Sequence, residues 1–218
     1  MRIVIAGGHG QIALRLERLL AARGVEVAGI VRNAGHGDDL RAAGAEPVVL
    51  DLESASVEDT AEVLRGADAA VFAAGAGPGS GTDRKDTVDR GAAVLFADAA
   101  LRAGVRRLVV VSSYGADSAH EGDGVFDVYL RAKGEADDHV RGLDGLDWTI
   151  LRPGSLTDDA GRGLVRLEAR TGRGSIPRDD VAAVLAELLD TPATAGLTLE
   201  LVGGSTPVPV AVKSVAGG

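Results

Sequence analysis

The chain has 218 residues, 45% of them hydrophobic, so it is long enough to bury the core of one domain and too short for two full ones. Its formal net charge of −9 disfavours nucleic acid and anionic membranes as partners, and the absence of cysteine excludes disulfides, thiolate metal sites and cysteine nucleophiles. We predict no metal site, no membrane-spanning segment and no cleavable leader, and therefore expect a soluble, cytoplasmic protein.

The chain begins with a strand that breaks into a glycine-rich turn. Residues 3–6 are continuously apolar, as in a parallel strand that is covered on both faces. The turn has the spacing G-x-x-G-x-x-A, in which Gly7 permits a tight bend, Gly10 exposes backbone N–H groups and Ala13 allows the next helix to pack closely. This order predicts a site for the diphosphate of a dinucleotide. The predicted contacts are Gly7, Gly8, His9, Gly10, Gln11 and Ile12.

Strand-like runs alternate with helical segments along the rest of the chain. The predicted strands are 2–6, 26–31, 46–50, 69–73, 107–112, 147–151 and 197–202, and the clearest helices are 11–23, 57–64, 87–103, 128–142 and 179–189. We expect Ser56, Asp86 and Asp127 to cap three helix starts, and Gly24 and Gly104 to end two helices. Right-handed crossovers then wind the first six strands into a three-layer, doubly wound parallel α/β sheet.

We interpret residues 1–218 as a single domain in which residues 155–174 and 191–209 contribute a small C-terminal cap on the substrate side. Loops 33–39, 75–83 and 114–124 follow strands at the edge where parallel sheets bind ligands. Residues 75–81 are predicted to be mobile. The prolines at 207 and 209 are expected to prevent a helix and to leave a poorly ordered tail.

The end of the second strand indicates which dinucleotide binds. An acid usually stands there when the adenine ribose carries a free 2′-hydroxyl. Arg32 stands there instead, and a cation suits a 2′-phosphate, so we predict NADP(H), with Asn33 and His9 as additional contacts. The alternative for Arg32 is an ordinary solvated arginine at a strand end.

The ends of the third and fourth strands complete the predicted cofactor site. Asp51 could accept a hydrogen bond from the adenine amine while Leu52 covers the ring, or Asp51 could equally cap the next helix. The small residues that follow the fourth strand let the backbone pass beside the ribose and the diphosphate. These are Ala73, Ala74 and Gly75.

A tyrosine and a lysine four residues apart are the candidates for proton transfer. Tyr129 and Lys133 share one face of a predicted helix, and a neighbouring ammonium makes a phenol a better proton donor. Ser112 and Ser113 end the fifth strand at the same rim, where a hydroxyl could bind a substrate carbonyl or alcohol. The alternative is a turn-capping serine pair beside a surface tyrosine and lysine.

The ordered set of motifs resembles that of the short-chain dehydrogenase/reductase superfamily. It is most similar to the atypical, NAD(P)-binding branch of epimerases and dehydratases. The motifs are Gly7-x-x-Gly10-x-x-Ala13, Arg32, Asp51-Leu52, Ser112-Ser113, Tyr129-x-x-x-Lys133, Leu151-Arg152-Pro153-Gly154 and Arg178-Asp179-Asp180-Val181-Ala182. The resemblance implies a Rossmann fold over about residues 1–209.

The resemblance also implies roles for particular residues. Ser113, or Ser112, would form the proton-transfer group with Tyr129 and Lys133, and Pro153 would lie in a turn beside the nicotinamide. The family's fourth catalytic position, usually asparagine, corresponds to Asp89, which puts the proton relay in doubt.

These observations favour an NADP(H)-dependent oxidoreductase that acts on a small carbonyl or alcohol, or an epimerase that works through a transient ketone. Two alternatives stay open: a sensor that binds NADP(H) without turnover, and a flavin or quinone reductase without tyrosine chemistry. The short cap disfavours a nucleotide-sugar substrate, and Tyr114 and Phe126 are candidate pocket walls. We expect a monomer or a homodimer.

Overall fold

The computed structural model describes residues 1–77 and 79–217, so Pro78 of the loop at 75–83 and Gly218 lie outside the described residues. The strands are β1 Arg2–Ala6, β2 Glu26–Val31, β3 Glu46–Val49, β4 Ala69–Phe72, β5 Arg107–Val111, β6 Asp147–Pro153, β7 Ser155–Thr157, β8 Leu164–Glu168, β9 Ser175–Pro177, β10 Leu197–Gly203 and β11 Thr206–Pro207. The helices are α1 Gln11–Ala22, α2 Gly37–Ala42, α3 Val57–Leu64, α4 Thr82–Arg84, α5 Ala93–Ala103, α6 Val125–Gly142, α7 Arg178–Leu189 and α8 Val208–Ala216. Short 3₁₀ turns occupy Ala34–His36 and Pro192–Thr194, and a π-helical stretch, Lys85–Ala92, joins α4 to α5.

Nine strands form one sheet in the order β11-β8-β10-β6-β5-β4-β1-β2-β3. The predicted doubly wound parallel sheet is confirmed, because β1 lies between β2 and β4 and each neighbouring pair from β3 to β10 is parallel. Strand order reverses at β1, which leaves a crevice at the carboxyl ends of β1 and its neighbours. The fold therefore presents the glycine turn at the position where such sheets bind ligands.

The sheet is covered on both faces, which explains the continuous apolar runs. On one face, Leu16 of α1 and Leu185 of α7 pack with Ile3 and Ile5 of β1. On the other face, α3, α5 and α6 cover the alternate residues of the same strands. The side chains of such a strand point alternately into two apolar layers, so neither face of the strand is polar. Its sequence therefore shows no alternation of apolar and polar residues.

Two predicted helix starts are wrong. The helix expected at Thr87 begins at Thr82, and Asp86 lies within it, where its carboxylate accepts hydrogen bonds from Arg90 one turn later at 2.6 and 3.0 Å. The helix expected at residue 128 begins at Val125. Asp127 is inside its first turn and accepts a hydrogen bond from the backbone N–H of Gly124 at 3.2 Å. In both cases the carboxylate accepts a hydrogen bond, but the residue lies inside the helix and not at the N-cap position that the sequence predicts.

The prediction of a disordered, non-helical tail is also wrong. Residues 208–216 form α8, whose Val208 and Val212 are buried against the sheet. Proline prevents a helix only in the interior; in the first turn its missing N–H has no intrahelical partner to lose, so Pro209 is tolerated there.

The strands of the predicted cap segments belong to two different sheets. β8, within 155–174, and β10, within 191–209, are strands of the central sheet, and β8 is antiparallel to β10. β7 and β9 form a separate two-stranded sheet. That residues 155–174 and 191–209 cover the substrate stays a prediction.

Within the described ranges, 1–77 and 79–217, none of the helices has the length and apolar character that a membrane crossing requires.

Candidate active site

A cleft opens at the carboxyl ends of β1, β2, β3 and β4. The glycine turn after β1 forms one wall, and the ends of the other three strands form the floor and the opposite wall. Its lining includes Gly7, His9, Gly10, Arg32, Asp51, Leu52, Ala73, Ala74 and Gly75 from the predicted cofactor contacts, together with His36, Glu53, Arg84, Val88 and Ala92. The structure thus brings nine predicted contacts from four separate segments into one cleft.

The glycine turn leaves no room for side chains. Gly7 has a φ of +78°, and a Cβ at this position would lie 2.6 Å from the Cα of Ala74. A Cβ on Gly10 would lie 3.0 Å from the carbonyl oxygen of Gly7. The backbone N–H groups at the start of α1 are therefore exposed for a phosphate, as a dinucleotide diphosphate requires. These residues fit the predicted cofactor.

Three charged side chains from different segments of the chain meet across the mouth of the cleft. The Oε2 of Glu53 accepts hydrogen bonds from Arg32 at 3.3 Å and from Arg84 at 2.8 Å, while its Oε1 accepts one from Thr87 at 2.7 Å. The hydrogen bond from Arg84 is the main reason that the pKa of Glu53 is lowered. Arg32 is thus held beside the cleft, with more than half of its side chain exposed.

Two histidines stack at the same mouth. The rings of His9 and His36 are 3.7 Å apart and nearly parallel, and the Nε2 of His9 lies 2.8 Å from the Oδ2 of Asp39. The Oδ1 of Asn33 accepts a hydrogen bond from the backbone N–H of Gly35 at 2.9 Å and so caps the short turn that carries His36. His9 is therefore close to the cleft and to the segment that follows Arg32.

Asp51 has a local partner in this structure. Its Oδ1 accepts a hydrogen bond from the backbone N–H of Glu53 at 3.1 Å, as in an Asx turn. Both Asp51 and Leu52 line the cleft, and the helix that follows is capped by Ser56 instead. The alternative that Asp51 caps the next helix is therefore wrong. The contact between Asp51 and the adenine stays a prediction.

Beyond the inner end of the cleft, two lysines share one buried carboxylate. The Nζ of Lys133 is 3.4 Å from the Oδ1 of Asp89, and the Nζ of Lys85 is 3.9 Å from its Oδ2. Asp89 is 1% exposed, and the two lysine side chains are 6% and 11% exposed. The π-helical stretch places Lys85 and Asp89 on one face, and such stretches occur frequently at functional sites.

This buried group adjoins the cleft directly. The backbone N–H of Ala76, which lines the cleft, donates to the Oδ2 of Asp89 at 3.3 Å, and a Cβ on Gly75 would lie 3.1 Å from its Oδ1. Val88, next to Asp89 in the chain, also lines the cleft. The buried group therefore borders the cleft through the backbone of residues 75 and 76.

Tyr129 is half-buried beside the same group. The Nζ of Lys85 lies 5.2 Å from the centre of its ring, and the ring of Phe126 stacks against it with centres 5.9 Å apart. Lys133, one turn along α6, instead donates a hydrogen bond to the carbonyl of Val111 at 3.2 Å. The ammonium over the Tyr129 ring is thus that of Lys85, a residue that the sequence reading did not include.

The two serines after β5 have different surroundings. The Oγ of Ser112 is buried and donates to the Oδ2 of Asp137 at 2.8 Å, which also accepts hydrogen bonds from Arg152. Burial raises the pKa of Asp137, and Arg152 opposes that rise. Ser113 is only partly buried, and its Oγ donates weakly to the carbonyl of Tyr114 at 3.3 Å. Of the two hydroxyls, that of Ser113 has the weaker internal hydrogen bond.

Three other predicted residues are outside the lining of the cleft: Pro153, Tyr114 and Phe126. Pro153 is buried at the end of β6, where its carbonyl accepts a hydrogen bond from the backbone N–H of Tyr114 at 2.9 Å. Tyr114 lines a second, polar cavity together with Arg152 and residues of α6, whereas Phe126 is 66% exposed.

A buried carboxyl group lies beneath the glycine turn. Glu17 of α1 is fully buried, and among the described residues neither of its carboxylate oxygens has a hydrogen-bond partner. A Cβ added to Gly8 or Gly29 would lie 3.0 or 2.7 Å from its Oε1. Burial raises the pKa of Glu17 to about 8.

Sequence reasoning does not find Glu53, Arg84, His36 and Lys85, which lie in segments without a recognised motif. A signal is present for one of them: Lys85 and Asp89 are four residues apart, which is the spacing of one helix face. A helix that begins at Thr87, as the sequence predicts, leaves Lys85 outside that face.

A parallel sheet with a glycine turn at its switch point, and a cleft that fits a dinucleotide, define a Rossmann-fold nucleotide-binding protein. The family model for NAD(P)H-binding proteins matches residues 7–192. The chain belongs to this NAD(P)H-binding family, which is of the short-chain dehydrogenase/reductase type, and the resemblance seen in the sequence is confirmed.

Relatives cover nearly the whole chain. A protein of Bacillus subtilis named as an uncharacterized sugar epimerase, YhfK, is 35% identical over 99% of this chain and 100% of its own length. A solved structure from Bacillus halodurans, named as an NAD-dependent epimerase/dehydratase, is 36% identical with a TM-score of 0.89 and covers 100% of this chain and 99% of that one. The oxidoreductase YlbE of Lactococcus lactis is 26% identical with a TM-score of 0.87, and the match covers 100% of this chain and 98% of that one. The chain is thus similar to NAD(P)-binding proteins of oxidoreductase and epimerase type.

Proposed function

We propose that this protein is an NADP(H)-dependent oxidoreductase that acts on a small carbonyl or alcohol, or an epimerase that works through a transient ketone. One observation carries the proposal: the glycine-lined cleft borders a buried group of Lys85, Asp89 and Lys133. Tyr129 lies half-buried beside this group. A cleft used only to bind a nucleotide has no need of two buried lysines at its inner end, since burying charge is costly.

The preference for NADP(H) over NAD(H) rests on Arg32. Its guanidinium lies at the mouth of the cleft and is held there by Glu53, with enough exposure to meet a phosphate. Arginine binds phosphate well because its planar donors match two phosphate oxygens. His9 and His36 add further donors at the same mouth.

The bound cofactor would supply the hydride, and the chain would supply the proton. Tyr129 is the proposed acid and base, because its phenol carries a transferable proton and lies beside the ammonium of Lys85. Lys133 is held by Asp89 and Val111 and would hold the hydroxyls of the nicotinamide ribose. Ser113 would position the substrate oxygen, because Ser112 is occupied by Asp137.

The variant Tyr129→Phe tests the tyrosine chemistry. We expect a loss of most turnover, about a hundredfold or more, while the affinity for NADPH measured by its fluorescence stays within about twofold. Tyr114→Phe, on the side of the second cavity, is the matched control and should keep its turnover.

Two outcomes would contradict this proposal. Unchanged turnover in Tyr129→Phe would favour a flavin or quinone reductase without tyrosine chemistry. Binding of NADPH with no turnover across a panel of carbonyls, alcohols, flavins and quinones would favour a sensor. The cytoplasmic location and the monomeric or homodimeric state remain predictions, which fractionation and sedimentation would test.

A further inference from the structure

The buried group at the inner end of the cleft has an excess of positive charge. Lys85 and Lys133 each carry an ammonium, and both face the single carboxylate of Asp89. No other carboxylate within the described ranges lies within 4.0 Å of either Nζ. The three groups together therefore carry a formal charge of about +1 in a place almost closed to water.

The other contacts of the two lysines are neutral. Lys85 donates to the carbonyl of Gly77 and lies over the ring of Tyr129, while Lys133 donates to the carbonyl of Val111 and lies over the ring of Phe72. Carbonyl dipoles and ring faces attract a cation without neutralising it. A buried ammonium that is not neutralised is costly, and the chain as a whole is acidic, so this local excess is unusual within it.

Among the described contacts, the ammonium of Lys85 has N–H donors without an acceptor. An ammonium has three N–H donors. Within residues 1–77 and 79–217, the Nζ of Lys85 makes one hydrogen bond, to Gly77 at 3.1 Å, and its 3.9 Å separation from Asp89 is too long for another. Lys133 is closer to Asp89, at 3.4 Å, and is also bonded to Val111.

The position of Lys85 separates it from the site of the cofactor diphosphate. The diphosphate is expected at the N–H groups that follow Gly7, whereas Lys85 lies at the Tyr129 side of Asp89. A group that binds Lys85 would thus lie beside the proposed proton donor, where substrate is expected. The rings of Tyr129 and Phe126 provide an apolar wall next to it.

We propose that Lys85 binds a carboxylate of the substrate, so that the substrate class is a small carbonyl or alcohol that also carries a carboxylate. The substrate carboxylate balances the excess positive charge of the buried group and accepts hydrogen bonds from the N–H groups of Lys85 that have no other acceptor. Lys133 keeps its ion pair with Asp89. This inference rests on the proposed oxidoreductase or epimerase function and narrows it.

The test compares an unreactive carboxylate with its neutral analogue. Benzoate and benzamide have nearly the same shape and differ in charge, and each is titrated by calorimetry into the protein with and without saturating NADP⁺. We expect benzoate to bind at least about tenfold more tightly than benzamide, as charge-assisted hydrogen bonds imply. Lys85→Met and Lys85→Gln should abolish this difference, and Lys213→Met, which removes an exposed lysine of α8, should leave it unchanged.

Each outcome is decisive. Equal affinities for the two probes, no measurable binding of benzoate, or a difference that survives in folded Lys85→Met and Lys85→Gln would overturn the inference. A loss of NADP⁺ affinity in these variants without a change in the benzoate to benzamide ratio would show that the charge serves the cofactor, and would overturn it as well. Failure of the wild type to bind NADPH would instead contradict the proposed function, and the titration without cofactor would still test Lys85.

Discussion

The Nζ of Lys85 lies 5.2 Å from the centre of the Tyr129 ring. The lysine expected beside Tyr129, one helical turn along α6, is Lys133, and its ammonium contacts Asp89 and the carbonyl of Val111. Lys85 therefore contacts the Tyr129 ring, Lys133 lies over the Phe72 ring, and both ammonium groups face Asp89.

Arg32→Ala should change the cofactor preference. Because a phosphate would lose its guanidinium partner, we expect NADPH to bind roughly tenfold or more weakly while NADH is nearly unaffected. Fluorescence titration of both nucleotides measures the change. Arg41→Ala, which removes an exposed arginine paired with Asp38, is the control. An unchanged ratio of the NADPH and NADH affinities in Arg32→Ala would show that the phosphate assignment is wrong.

Asp89→Asn should destabilise the fold. The change leaves two buried ammonium groups without their shared carboxylate, and breaking a buried ion pair in this way costs about 3–5 kcal/mol of unfolding free energy. Urea unfolding measures the loss. Asp86→Asn removes an exposed carboxylate from the same stretch of helix and should cost less than about 1 kcal/mol. Equal losses in the two variants would contradict the view that burial makes Asp89 costly to remove.

Glu17 should make stability depend on pH. The pKa of Glu17 is about 8 in the folded chain and 4.5 is its ordinary value, so the folded state keeps a proton that the unfolded state releases between those values. The free energy of unfolding therefore falls as pH rises from about 4.5 to about 8, by several kcal/mol at most.

Glu17→Gln tests this dependence, because an amide has no proton to release in that range. We expect the fall in unfolding free energy to be much smaller in Glu17→Gln than in the wild type, as measured by urea unfolding at several pH values. Glu121→Gln, an exposed acid in a loop, should behave as the wild type. A profile for Glu17→Gln that matches the wild type would show that other groups cause the dependence.

Ser56→Ala should remove a helix cap. Ser56 Oγ accepts a hydrogen bond from the backbone N–H of Asp59 at 3.1 Å, and Asp59 accepts one in return from the backbone N–H of Ser56 at 3.2 Å. We expect a loss of about 1 kcal/mol in unfolding free energy. Ser205→Ala, in an exposed turn, is the control and should be near neutral. No measurable loss in Ser56→Ala would mean that water replaces the cap fully.

The sequence by itself determined the features that depend on neighbours in the chain. β1 and β2 were predicted to the residue, α3 was predicted with its Ser56 cap, and Gly104 ends α5 in the left-handed conformation as expected. The glycine turn belongs with them, since strand, turn and helix are consecutive. Local patterns suffice here because apolar runs, caps and glycine turns act through bonds between residues close in sequence.

Only the tertiary structure decided which charged groups meet. Arg32 and Arg84 meet at Glu53, and Lys85 and Lys133 meet at Asp89; the pairs that span different elements are 21 to 44 residues apart in sequence. Glu17 shares the face of α1 that carries Leu16 and Leu20, and it is enclosed there because Gly8 and Gly29 lack the side chains that would displace it. No local period encodes such contacts, since they depend on which loops the sheet order brings to one edge.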